Sequence, residues 1–201
     1  INLQQHDALS FWNPKLGLTY QIDTRQQAYA SFSVGNKEPT REEYVNSTPE
    51  NRPKHESLYD WELGYRGEFR RWAGNINFYY MKYDNQLILT GEVNDVGAFI
   101  RNNVADSYRL GLELQGASQI TDRLSWQANA TFSRNKIDRY TQFISNYDTG
   151  GQQSRQYTNT DISFSPELIA NSTFRYDVGG WSAEWTSKYV SRQYLDNTET
   201  Y

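Results

Sequence analysis

Two short clusters in this 201-residue chain hold side chains that could do chemistry. His55, Ser57 and Asp60 offer an imidazole, a hydroxyl and a carboxylate, the parts of a nucleophilic triad. Asp60 and Glu62, at i and i+2, would share a face if the segment is extended, as the paired carboxylates of glycoside or proton chemistry must. Neither cluster holds up on a strand. Ser57 has the parity of Tyr59 and Trp61 while Asp60 has the other, so a triad would straddle the backbone, and His55 reads as a loop histidine. The carboxylate pair shares its face with Arg66, which points to ion pairing. Metals fare no better. The histidines are His6 and His55 and there is no cysteine, which gives no strong zinc site. Asp84, Glu92, Asp95 and Asp106 could meet calcium but lack the spacing of an EF-hand loop. The expectation is no enzyme, no metal and no cofactor. Binding chemistry remains: Arg41, Tyr44, Arg101, Tyr140, Tyr147, Arg155 and Tyr157 lie in long polar segments and are candidates for cradling a bulky, partly anionic ligand.

The elements that would position those residues are strands. Period-two alternation recurs along the chain and places about eight of them, in four pairs. Leu16, Leu18, Tyr20 and Ile22 answer Ala28, Ala30, Phe32 and Val34. Tyr59, Trp61, Leu63 and Tyr65 answer Ile76, Phe78 and Tyr80. Tyr108, Leu110, Leu112 and Leu114 answer Leu124, Trp126, Ala128, Ala130 and Phe132. The last pair is LIANSTFRY with WSAEWTSKYVSR, joined by Asp177-Val178-Gly179-Gly180, a sequence suited to a tight hairpin. Turns within pairs are short, whereas the connections between pairs, roughly residues 37 to 56, 86 to 106 and 138 to 164, are long. Short turns therefore gather at one end of the sheet and long loops at the other. TREEYVN, at 40 to 46, could make one helical turn.

Composition bears on which face points outward. Hydrophobic residues make up 37% of the chain, yet there are 16 Tyr, 9 Phe and 6 Trp, with a mean hydropathy of -0.87. A disordered chain would be poor in aromatics. The net charge of -4, with no basic block, gives a nucleic-acid surface no support. Alternating strands in a soluble barrel turn their apolar parity inward, and in a transmembrane barrel they turn it to lipid. Rings beside the short turns (Tyr20 and Tyr29, Tyr65 and Trp72, Trp126, Tyr176 and Trp181) resemble an interfacial girdle. Alternating segments of about eleven to fourteen residues exceed the usual strand of about five or six, and suit a tilted membrane crossing. The expected fold class is all-β: an antiparallel up-and-down meander of about eight long strands, part of a transmembrane β-barrel, with Leu110, Leu112 and Leu114 facing lipid.

At this point the chain resembles the C-terminal part of the barrel of a TonB-dependent outer-membrane receptor. FWNPKLGLTYQI followed by AYASFSVGNKEPTREEYV is similar to that family's strand, tight turn, strand and outgoing loop. NRPKHESLYDWELGYRG is similar to its Pro-x-x-Glu-Ser and Glu-x-Gly-Tyr strand, through Pro53, Glu56, Ser57, Glu62, Gly64 and Tyr65. INFYYMKYDNQLIL with NVADSYRLGLELQG resembles the next hairpin, with Gly111 and Glu113 in the Gly-x-Glu positions. PELIANSTFRYDVGGWSAEWTSKYVSRQYLDNT resembles a late hairpin. The resemblance implies a barrel of about twenty-two strands around a plug, so residues 1–201 read as a single fragment of the barrel domain without plug or final strands. It also implies residence in the bacterial outer membrane, and energised uptake of a ligand such as an iron–siderophore complex. The implied partners are outer-membrane lipid, the receptor's own plug domain, the TonB energy-coupling complex and an extracellular ligand. The residues themselves leave open a soluble eight-stranded barrel around a small apolar ligand, and a passive porin.

Overall fold

The computed structural model describes residues 8–45, 47, 52–93, 99–146 and 151–199. Its strands are β1 (Lys15–Gln21), β2 (Gln26–Lys37), β3 (Glu56–Glu68), β4 (Trp72–Val93), β5 (Phe99–Gln119), β6 (Leu124–Asn146), β7 (Gly151–Asp161), β8 (Leu168–Val178) and β9 (Trp181–Val190), with one short helix, α1 (Arg41–Val45), in the first long connection. They form one antiparallel sheet in chain order, except that β7 lies on β6. That exception is apparent rather than real. The lower half of β6 (Leu124–Phe132) pairs with β8 and its upper half (Lys136–Asn146) with β7, so β7 and β8 are two halves of one strand, interrupted by residues 162–167. The ladder resumes on each side of the interruption: Ile162 N donates to Asn135 O at 3.0 Å and Ser133 N to Glu167 O at 2.8 Å. The meander of eight long strands is thus present.

The register gathers the apolar residues on one face. Leu18, Ala30, Leu63, Phe78, Leu112, Phe132 and Leu168 form one continuous row across the sheet. Beside it run Tyr20, Ala28, Tyr65, Ile76, Leu114, Ala130, Ala170 and Tyr189. This face is the bare one: Leu63 is 60% exposed, Phe78 44% and Phe132 47%, whereas Asn77 and Tyr79 on the opposite face are 6% and 9% exposed. A sheet whose greasy side is bare and whose polar side is sheltered is the inverse of a soluble core, and it is what a wall between lipid and a wet lumen requires. Trp72, Tyr176 and Trp181 stand exposed beside the short turns, Phe69 stacks on Trp72 with centroids 4.0 Å apart, and Gly179 and Gly180 supply the positive φ of the last hairpin. Tyr29 departs from the expected girdle. It lies on the sheltered face, over Gly64, and its hydroxyl hydrogen-bonds Asn77 Oδ1 at 3.1 Å.

Glycine has a steric role at two positions of that face. Tyr29 is registered opposite Gly64 and Tyr79 opposite Gly111. A Cβ built on Gly64 would lie 2.1 Å from Tyr29 Cζ, and one on Gly111 2.3 Å from Tyr79 Cζ, so each ring occupies space that any side chain would fill.

β4, β5 and β6 run to 22, 21 and 23 residues. A tilted strand crosses the apolar band of an outer membrane in about 9–11 residues, so roughly half of each projects beyond it. The connections read as loops at 86 to 106 and 138 to 164 are largely these extensions. Out of the membrane both faces of a hairpin can be wet, so the alternation that betrays a strand is no longer enforced. β1 and β9 each have one neighbour in the sheet and are exposed along their whole length.

Candidate ligand-binding mouth

The two projecting hairpins, β4–β5 and β6–β7, carry the apolar core found among the described residues. Ile88, Val104, Ile137, Tyr140 and Ile162 are buried together, with Tyr157 packed against them. Each hairpin carries one left-handed asparagine, Asn85 at φ 55° and Asn159 at φ 56°, the residue type that tolerates this conformation best after glycine. At both places the ladder skips a pair, between Asp84–Asp106 and Gln86–Val104, and between Ile137–Thr160 and Arg139–Thr158. Between the hairpins lies a cavity of about 580 Å³, lined by Asn102, Arg139, Tyr140, Thr141, Gln156 and Tyr157 among others.

Three of the sequence candidates meet here. Tyr140 is 3% exposed and belongs to the hydrophobic cluster. Its ring lies 6.3 Å from that of Tyr157, at 32°. The Arg155 guanidinium sits 5.2 Å over Tyr157, whose hydroxyl donates to Gln142 Oε1 at 3.1 Å. The two tyrosines line the cavity, while Arg155 is exposed and places its charge against the Tyr157 ring. Arg139, Asn102 and Gln156 were not singled out from sequence. What places them is the pairing of β4 with β5 and of β6 with β7, which no local pattern displays.

Arg41, Tyr44 and Arg101 belong to α1 and the strand it meets, β5. Thr40 N donates to Glu43 Oε2 at 2.5 Å, the backward half of a Thr-x-x-Glu capping box that starts α1. Glu43 is buried, and Arg101 Nη1 on β5 approaches its other oxygen at 3.6 Å. Arg101 thereby docks the helix, Arg41 is exposed on it, and Tyr44 is half-buried. Asn103 ties the loop before β3 to the same hairpin: Oδ1 accepts from Lys54 N at 2.7 Å, and Nδ2 donates to Lys54 O at 2.9 Å and Asn85 O at 2.6 Å. Tyr147 lies outside the described residues.

A second polar cluster sits at the base of β6–β7. Lys136 Nζ is 2.6 Å from Asp161 Oδ1 and 3.0 Å from Glu199 Oε1. Burial works against the Lys136 charge, but the bonds to both carboxylates outweigh it and leave its pKa raised. Burial likewise pushes Glu199 up, and the Lys136 ammonium with the Asp161 amide brings it down overall. Among the described residues no group of His, Asp or Glu is arranged to hold a metal. The histidine and serine of the triad reading are engaged elsewhere: the Ser57 hydroxyl donates to Asn36 Oδ1 at 2.6 Å, and His55 packs on Phe11 with ring centroids 5.3 Å apart.

Below the mouth, the sheltered face turns Asp60, Glu62 and Glu113 inward. The ion pairing expected of the first two is not made by Arg66 on the same face, which bridges Glu68 at 3.0 Å. Arg109 donates from Nη1 to Ser165 Oγ at 3.0 Å, in the 162–167 interruption. Asn77 Nδ2 reaches Glu113 Oε2 at 3.4 Å, and Asp60 Oδ1 is buried without a hydrogen-bond partner. Asp60, Glu62 and Glu113 thus form an acidic group on a face that also carries Arg66 and Arg109.

Residues 2–201 match the family model described as TonB dependent receptor-like, beta-barrel. No curated protein matches the sequence. Among solved structures, the siderophore receptor PiuA from Acinetobacter baumannii superposes with a TM-score of 0.68 at 16% identity, covering 92% of this chain and 27% of that one. The siderophore receptor PirA from Pseudomonas aeruginosa gives 0.65 at 16%, over 90% of this chain and 34% of that one. The copper transporter OprC gives 0.66 at 16%, over 90% of this chain and 26% of that one. The chain thus spans about a quarter to a third of the length of these structures.

Proposed function

Since the chain belongs to the TonB-dependent receptor-like β-barrel family of the outer membrane, we propose that it forms one wall and part of the mouth of an energy-coupled importer for iron–siderophore complexes. The observation that carries this reading is a bare apolar band beneath two projecting hairpins that enclose a polar, tyrosine- and arginine-bearing cavity. Its family is one of receptors and transporters, so the ligand is moved without any bond being made or broken by this wall. Arg155, Arg41 and the Tyr140–Tyr157 wall are the groups that would meet a bulky, partly anionic chelate, with Arg101 holding α1 in place and Tyr147 a further candidate. The acidic group of Asp60, Glu62 and Glu113 suits a plug that presents cationic groups to it, since uncompensated carboxylates in a confined lumen are costly. Pulling on that plug by the TonB complex would supply the energy. Siderophore receptors among the structural neighbours support the choice of ligand.

The test is uptake of radioactive iron by cells whose only outer-membrane iron receptor is the full-length protein, offered as a ferric trihydroxamate and as a ferric tricatecholate. Uptake of one chelate, abolished when TonB is deleted, is expected. Uptake that persists without TonB would turn the reading toward a passive pore, and uptake of neither chelate would overturn the iron assignment.

A further inference from the structure

The stretch after β9 does not continue along the sheet edge. In the order β4-β5-β6-β8-β9 the edge strand is β9, yet Asn197 Nδ2 donates to Leu89 O on β4 at 2.7 Å. To get there the chain must cross the intervening strands, about 19 Å at a spacing of about 4.8 Å, within reach of an extended segment of fewer than ten residues. Along the way it makes backbone-specific bonds. Tyr194 O accepts from Phe164 N at 2.9 Å, Asn197 Oδ1 accepts from Ser163 N at 2.8 Å, and Glu199 Oε1 accepts from Asp161 N at 2.5 Å and from Lys136 Nζ at 3.0 Å.

Asn197 is 1% exposed. Its carbonyl oxygen is bonded to the chain just after β7 and its amide nitrogen to β4, so this one side chain joins the two hairpins that enclose the mouth cavity. No apolar residue of the same size could do this, because both hydrogen bonds, to the half-buried Leu89 carbonyl and Ser163 amide, would be lost at once, and the tie with them. Glu199 adds a second tie, confined to the β6–β7 side. Phe164, left-handed at φ 54°, is held at its amide by the same strap.

We infer that residues 194–199 form a clasp across the mouth, in which Asn197 and Glu199 are positioning residues that fix the two hairpins and hence the width of the cavity between them. The clasp stands on its own geometry; its consequence for ligand binding rests on the uptake reading above. With Asn197 engaged, the Tyr140–Tyr157 wall is held against Ile88 and Val104. With it released, the parts of β4–β5 and β6–β7 that project beyond the Ser107–Ile137 pair, where the β5–β6 ladder ends, are held together by their hydrophobic cluster and can part.

Hydrogen–deuterium exchange on the full-length receptor in lipid vesicles tests this, comparing the native protein with Asn197→Leu and Glu199→Gln. Asn197→Leu is expected to speed exchange at least tenfold in residues 86–104 and around Ser163, with β2 and the lower half of β3 unchanged. Glu199→Gln is expected to speed exchange around Asp161 and leave 86–104 as in the native protein. Acceleration confined to 194–199, or native protection at Asp161 in Glu199→Gln, would overturn the clasp; if Asn197→Leu loosens the whole barrel, the Glu199→Gln pattern decides. Because exchange needs no ligand, absence of iron uptake by the native receptor would count against the proposed function and not against the clasp.

Discussion

Replacing Gly111 by alanine should damage this wall far more than the addition of one methyl suggests. The new Cβ would stand 2.3 Å from Tyr79 Cζ and 2.4 Å from its hydroxyl oxygen, where carbon atoms in contact sit about 3.5–4.0 Å apart. The ring must therefore move by more than about 1 Å. Tyr79 is 9% exposed and its register neighbours are Glu62 on β3 and Gly111 on β5, so it has nowhere on the sheltered face to go without losing packing. Overpacking of this kind costs about 1–3 kcal/mol, and about 2 kcal/mol corresponds to roughly a thirtyfold shift in the folding equilibrium. Gly17→Ala and Gly35→Ala are the controls, because an added Cβ there meets nothing within 4 Å. The assay is urea unfolding of the full-length receptor in lipid vesicles, in the native and Tyr79→Ala backgrounds. We expect Gly111→Ala to cost about 2 kcal/mol alone and less than about 0.5 kcal/mol once the ring is gone. Equal costs in the two backgrounds, or a cost no larger than that of Gly35→Ala, would refute the steric argument.

Other consequences follow from the same geometry. Leu112→Arg, on the bare face, should cost about 2–4 kcal/mol of stability near the bilayer midplane, whereas Gln115→Arg, on the sheltered face, should be nearly neutral in the same unfolding assay. Arg101→Ala leaves the Glu43 carboxylate without its countercharge, and faster amide exchange in residues 41–45 with no change in β1 is the expected result. Glu199 has a lowered pKa, so its tie is present above the unfolded value and is lost as pH falls through the folded one. Lys136 has a raised pKa, so its contribution holds below the unfolded value and is lost as pH rises through the folded one. Protection around Asp161 should accordingly be flat across neutral pH and decline at both the acid and the alkaline extreme; a step near neutrality would contradict the assignment.

The membrane part of this fold was legible in the sequence because lipid on one side and a wet lumen on the other enforce alternation residue by residue. Leu110, Leu112 and Leu114 could be assigned a face without any partner strand in view. Tyr29 shows how fine that reading is: it lies beside a turn like a girdle residue, but its parity is opposite to Ala28 and Ala30, and it packs over Gly64. Outside the band the constraint vanishes, which is why the upper halves of β4, β5 and β6 read as polar loops. Asn85 and Asn159 are ordinary loop asparagines in sequence, and only the structure reveals their left-handed backbone and the ladder pair skipped at each. The candidate site was half visible. Tyr140, Tyr157 and Arg155 were found by residue type, but their division into buried wall and exposed charge depends on register. Asn197 was out of reach altogether, since its partner Leu89 lies 108 positions away.

The central claim is that the apolar parity of these strands meets lipid and the polar parity lines the lumen. Nitroxide labels placed singly at residues 109 to 115 of the full-length receptor in a bilayer test it most directly. The account expects labels at Leu110, Leu112 and Leu114 to collide with oxygen dissolved in lipid, and labels at Arg109, Glu113 and Gln115 to be shielded from it or reached by a water-soluble relaxant. The opposite phase, with the leucine positions shielded and the charged positions open to bulk solvent, would contradict it and make this a barrel with its apolar face inside.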